Sequence, residues 1–171
     1  IHDNYIQGAY TIKPWQGDYS DSTYSYDWSF SGGGIMLGDG VGSTANDDPA
    51  YVQAFGNTII STTNYGIALS AGHDLSAYKN RVFSAGTLAD GRAIQNQNVG
   101  LYVWDSYHAG SSHFYNDSAH DNVIGWNQDG GRNDWWTPDG TVTNNVHAGG
   151  TITVATENSE HTAWLSRKPG G

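Results

Sequence analysis

Residues 57–80 read Asn57-Thr58-Ile59-Ile60-Ser61-Thr62-Thr63-Asn64-Tyr65-Gly66-Ile67-Ala68-Leu69-Ser70-Ala71-Gly72-His73-Asp74-Leu75-Ser76-Ala77-Tyr78-Lys79-Asn80. An Asn opens and closes the stretch, 23 residues apart. Short runs that alternate apolar and polar residues lie at Val52-x-Ala54, around Ile59 and at Ile67-x-Leu69. Leu75-x-Ala77 then repeats the first run, again five residues before its Asn. Three short strands per repeat of this length predict one coil of a solenoid, with each strand pairing in parallel with its copy in the next coil and burying one face.

The pattern extends in both directions. Asn4-Tyr5-Ile6 goes with Gly34-Ile35-Met36-Leu37, and Asn80-Arg81-Val82 with Gly100-Leu101-Tyr102-Val103. An Asn tolerates a left-handed bend, and stacked Asn side chains hydrogen-bond from copy to copy. The fold class expected is therefore all-β, one domain over residues 1–171, with repeat coils over about 2–156 and long loop insertions. The 23 Gly and 4 Pro suit many tight bends. Sustained helical character is expected only from Glu157 to Lys168, as a short cap (about 157–168) in which Ala163, Trp164 and Leu165 cover the last coil. Because the chain begins at Ile1 and Asn4 already occupies a repeat position, it reads as a C-terminal fragment of a longer protein. The alternative is a native start covered by segment 9–33.

The chain has no Cys, no apolar run of membrane-spanning length and no signal-peptide pattern, so no membrane insertion is expected. With 17 acidic against 7 basic residues the net charge is −10, which disfavours nucleic acid as a partner. Anionic polysaccharides meet the same repulsion unless calcium or a local basic patch intervenes. The 11 Tyr and 7 Trp are suited both to closing cores and to stacking on sugar rings.

The Asn-x-Ile/Val and Gly-Ile-x-Leu copies resemble the right-handed parallel β-helix superfamily of pectate lyases, polygalacturonases and related carbohydrate-binding or sugar-hydrolysing repeat proteins. The resemblance implies a right-handed parallel β-helix and an extracellular, secreted, polysaccharide-directed protein, often an enzyme that holds its substrate in a groove along the coils. No Arg-x-x-x-x-Arg lyase pattern occurs, and the full Asn-x-Asp, Asp-Asp and Gly-His-Gly set of the hydrolases is not found. Gly72-His73-Asp74 comes nearest to its last member.

Unequal spacing between the copies places the insertions. From the Asn to the Gly opening the next strand the gap is 9 residues after Asn57, 20 after Asn80 and 30 after Asn4. Walls at about 10–33 and 85–99 would thus flank a bare floor at 61–65. Trp15, Tyr24 and Trp28 in the first wall, Tyr65 on the floor, and Trp104, Trp135 and Trp136 in later loops are the candidate sugar-stacking residues. Alternatively, the first wall packs down as a lid.

A second corner aligns Asp39, Ala71 and Asp105, with His73 at its lip. Positions two parallel strands apart are about 9–10 Å apart at the backbone. Side-chain reach then brings Asp39 and Asp105 into the range of about 6.5–9.5 Å wanted by an inverting acid/base pair. For β-elimination the candidate bases are His73, His108 and Arg132, with calcium on Asp39, Asp47 and Asp48 to neutralise a uronate. Each of these carboxylates could instead simply cap a turn.

His2-Asp3-Asn4, His120-Asp121-Asn122 and His73-Asp74 share a local pattern that marks corners, and no spacing supports zinc. Asn116-Asp117-Ser118 is a sequon, yet a buried bend is the reading preferred for Asn116, and either Asn116 or Asn122 continues the Asn repeat. Three functions follow: a glycan-cleaving enzyme (glycoside hydrolase or polysaccharide lyase), a non-catalytic carbohydrate-binding or adhesive module, and a structural solenoid. The last would stack end to end or join a missing N-terminal portion.

Overall fold

The computed structural model describes residues 1–8, 33–38, 48–87, 89, 91, 93–94, 97–128 and 131–168. In chain order the strands are β1 (Tyr5–Gln7), β2 (Ile35–Leu37), β3 (Gln53–Phe55), β4 (Thr58–Ile60), β5 (Asn64–Leu69), β6 (Ser76–Tyr78) and β7 (Arg81–Ser84). There follow β8 (Gln97–Val103), β9 (Ser118–His120), β10 (Val123–Gln128), β11 (Gly131–Arg132), β12 (Trp135–Trp136), β13 (Thr141–Thr143) and β14 (Val146–His147), then the helix α1 (Val154–Arg167).

The strands form three sheets. The first runs β1-β4-β7-β10 in parallel, with β14 parallel and β11 antiparallel on β10. The second, β2-β5-β8-β12, and the third, β3-β6-β9-β13, are parallel throughout.

This corrects the expected right-handed parallel β-helix with coils over 2–156 and a helical cap over 157–168. Among the described residues no closed solenoid is formed; there are three separate short sheets, two all-parallel and one mixed, and one helix. Left-handed bends interrupt strands of two to seven residues before they can join from sheet to sheet. The antiparallel turn into β11 makes the first sheet the mixed one.

The asparagine repeat is the seam of the first sheet. The backbone N–H and side-chain amide of Asn4 both donate to Asn57 Oδ1 at 3.1 and 3.0 Å. Asn57 donates in the same way to Asn80 (3.0 and 3.0 Å), Asn80 to Asn122 (3.0 and 3.0 Å) and Asn122 to Asn145 (2.9 and 2.9 Å). Each amide also reaches a main-chain carbonyl, as Asn80 does at Ala54 (2.9 Å) and Asn122 at Ala77 (2.9 Å), so these buried polar groups are fully used. The residue before each Asn is left-handed: Asp3, Gly56, Lys79, Asp121 and Asn144. Asn122 rather than Asn116 is thus the member of the row. Asn116 is exposed and donates to Asp74 Oδ1 at 3.3 Å, so it is not a buried bend.

Inward side chains of the three sheets share one core. Ile59, Val82 and Ile124 come from the first sheet, Ile67, Leu69, Leu101 and Val103 from the second, and Ala54, Ala77 and Ala119 from the third. Gly34, Gly66 and Gly100 of the second repeat are required by crowding. A Cβ on them would come within 2.7, 2.3 and 2.6 Å of Ile59, Val82 and Ile124, the inward row of the first sheet.

Thr153 caps α1 by a reciprocal capping box with Thr156, so the helix starts before the expected Glu157. It does not close an end. It lies on the outer face of the first sheet against β4 and β7, and its buried residues are Glu157 and Glu160 rather than Ala163, Trp164 and Leu165. Glu157 accepts from the Ser61 hydroxyl and the Ala85 N–H. Glu160 takes both Arg81 Nε and Nη2. The outward row of β4 and β7 offers donors as well as Ile60 and Phe83, and this selects a polar helix face.

Asn80→Ala removes an acceptor for two buried donors and two donor bonds of its own. The expected loss is roughly 3 kcal/mol or more in urea unfolding; a loss below about 1 kcal/mol would show that the row does not hold the sheet together.

Candidate functional site

The outer face of the second sheet carries a row set by register, Met36, Ala68, Tyr102 and Trp136. Trp104 follows directly after β8. Its ring lies 5.1 Å from Trp136 and 6.2 Å from Tyr102, and Tyr102 meets the edge of Tyr65 at 5.4 Å. Tyr65 and Tyr102 are buried, while Trp136 is 47% exposed. The Tyr102 hydroxyl and Ser70 Oγ are 2.8 Å apart, which fixes that ring. At the rim lie exposed His108, edge-on to Trp104 at 6.3 Å, and exposed Asp139, whose Oδ2 accepts from the Asp105 N–H at 2.9 Å. Two indoles tilted by 59° on the outer face of the sheet, with polar groups at the border, offer an aromatic surface on which a ring ligand can stack.

Of the sequence candidates, Tyr65, Trp104, Trp136, His108 and Asp105 come together here. The Asp105 carboxylate accepts from Ala109 N (2.9 Å) and Gly110 N (2.7 Å), which is the turn-capping role. Arg132 is tied into the fold. Its Nε donates to both Asp134 oxygens (2.8 and 2.9 Å) and its Nη2 to the carbonyls of Ala148 (2.7 Å) and Ile124 (3.2 Å). Trp135 packs against the core and stacks on His147 at 3.9 Å. Asp39, Asp47, Trp15, Tyr24 and Trp28 lie outside the described residues, so the Asp39/Asp105 pair does too.

His73 and Asp48 sit at a different corner, where short parallel bridges join Ala50, His73 and Tyr115. The His73 ring stacks on Tyr115 at 4.5 Å and meets the edge of Tyr51 at 5.7 Å; its Nδ1 lies 2.7 Å from Asp74 Oδ2. The same imidazole–carboxylate contact recurs at 2.8 Å in His2–Asp3 and in His120–Asp121, each with a left-handed Asp. Two copies in the left-handed row that precedes the asparagines and one at the Ala50–His73–Tyr115 corner identify it as a bend motif. Asp48 Oδ2 lies 2.8 Å from His113 Nδ1. Among the described residues no three His, Cys, Asp or Glu are grouped as metal ligands. Of the three carboxylates expected to hold calcium, Asp39 and Asp47 lie outside the described residues and Asp48 is in contact with His113.

Sequence reasoning missed two buried carboxylates. Asp134 is pushed upward by burial, but the bonds from Arg132, His147 and the Trp126 N–H outweigh this and hold it below its ordinary range. Asp117, 2% exposed, is pushed up to about 7 by burial and by the charge of Asp74, against the Leu75 N–H and His73. Its Oδ1 accepts from Leu75 N at 2.9 Å, while Oδ2 has no partner. Its place in a sequon gave no hint of this.

A folded-state value above the unfolded one means that the native state keeps a proton the unfolded chain gives up. The stabilisation is complete below about pH 4 and is lost as pH rises through about 7. Asp117→Asn keeps the Leu75 bond and removes the titration. The difference in unfolding free energy between mutant and parent should grow by about 1.4 kcal/mol per unit between pH 5 and 7, and a difference independent of pH would refute the assignment.

Comparison of the chain with protein-family models, curated proteins and solved structures finds no match.

Proposed function

We propose that this protein binds a polysaccharide, laying sugar rings on Trp104 and Trp136 across the outer face of the second sheet. The observation carrying the reading is the Trp104–Trp136 pair, with Trp136 47% exposed on the edge strand β12, which pairs with the mostly buried β8. An exposed indole on a sheet costs apolar exposure that a ring ligand removes. Binding is favoured over cleavage because Asp105 is committed to backbone N–H groups and Arg132 to Asp134. The partner proposed is extracellular polysaccharide, and the net charge of −10 favours a neutral chain over an anionic one at this face.

The test is retention on neutral and acidic polysaccharide columns, alongside assays for new reducing ends and for unsaturated products. Retention without either product is expected. Trp136→Ala should weaken it about tenfold, the effect of losing ~1.4 kcal/mol of stacking, without unfolding the chain. Equal retention of the variant, or release of products, would overturn the reading.

A further inference from the structure

Three of the seven basic residues of this acidic chain line one open cleft of about 270 Å³. It lies between the C-terminal end of α1 and the corner row of the first sheet, and is lined by Asp3, Gly56, Lys79, Trp164, Arg167 and Lys168. Three cations face one carboxylate, and that carboxylate is engaged at 2.8 Å by His2.

The walls are built. Arg167 Nη2 donates to buried Thr58 Oγ1 at 2.9 Å, and Trp164 Nε1 donates to the Asp3 carbonyl at 3.2 Å. Lys168 Nζ lies 5.8 Å over the Trp164 ring. Gly56 keeps the floor open, since a Cβ there would come within 2.5 Å of Asp3 Oδ1.

Lys79 is the telling residue. The left-handed corner row reads Asp3, Gly56, Lys79, Asp121 and Asn144. Gly, Asn and Asp take this conformation readily and Lys does not. Position at the C-terminal end of α1, in the last turn for Arg167 and at the cap for Lys168, accounts for these two through the helix dipole, but not for a strained Lys on another element. Its charge also acts on Asp121, the next in the row. A cation kept at a conformational cost, beside Arg167 and Lys168, is what a site for an anion requires, and Asp121 offsets only part of the three positive charges.

We propose that this cleft binds a phosphate monoester. Such a group is close to a dianion at neutral pH and matches the excess of cations over the one carboxylate, and an Arg fork suits its oxygens. The volume is several times the ~30 Å³ share of one water, which leaves room for the organic part of the ester. The site is separate from the aromatic platform and stands without it.

The test is titration at low ionic strength with glucose 6-phosphate, inorganic phosphate and glucose, followed by Trp fluorescence and calorimetry. Glucose 6-phosphate should bind and glucose should not; weaker or equal binding of inorganic phosphate places recognition in the phosphate itself. Lys79→Asn should reduce the affinity about tenfold or more while the Tm stays level or rises, because Asn fits the bend better. Arg167→Gln should also weaken binding, and Trp136→Ala should leave it unchanged. Failure of both phosphate compounds to bind would overturn the proposal. So would unchanged affinity in Lys79→Asn, or a lower Tm that marks Lys79 as structural.

Discussion

The constraint on which the rest depends is the row of five asparagines along the first sheet. From Asn57 onward each Oδ1 takes two N–H groups from the Asn before it, one main-chain and one side-chain. The left-handed residue still donates its main-chain N–H to a carbonyl of the next copy, but the N–H of the Asn that follows finds no ladder carbonyl and must be given another acceptor. The asparagine supplies the missing acceptor and so lets the chain bend sharply while buried. Register in β4, β7 and β10 follows, and with it the inward row Ile59, Val82 and Ile124.

That inward row decides what the second sheet can be. Gly34, Gly66 and Gly100 pass so close to it that no side chain fits, and the alternation after them sends Ile67 and Leu101 inward and Ala68 and Tyr102 outward. The aromatic platform is therefore a consequence of core packing. On the first sheet the outward row is mixed, with Arg81 and Ser61 among Ile60 and Phe83. A helix with Glu157 and Glu160 on its docking face satisfies both kinds of group. Docking in this way leaves the last turn of the helix over the corner row, and the cationic cleft arises there.

Charge in this molecule is arranged by burial. Asp134 is ringed by donors and stays ionised, whereas Asp117, with one oxygen unpartnered, holds its proton to near neutrality. Glu157 is likewise raised by burial against its two hydrogen bonds. A chain of net charge −10 thus concentrates three of its few cations in one cleft while burying several acids.

The strand repeats, Asn4, Asn57 and Asn80, and the glycines of the second repeat were legible in the sequence, because period and register are local properties of the chain; the choice between Asn116 and Asn122 stayed open until the contacts of Asn80 decided it. Asn145 was not legible, since its copy, Asn144-Asn145-Val146, lacks a following Gly-aliphatic run. The expectation of a right-handed parallel β-helix capped by residues 157–168 was overturned, because whether short sheets join, and which face a helix docks, depends on contacts between distant segments. Asp105 and Arg132 looked reactive by residue type, but tertiary structure gave them Ala109, Gly110 and Asp134 as partners. Trp104 and Trp136 were identifiable as aromatic residues in polar surroundings; only register across β8 and β12 put them side by side. The cleft of Lys79, Arg167 and Lys168 was invisible in the chain. Its members lie on elements that the sequence separates and the helix brings together.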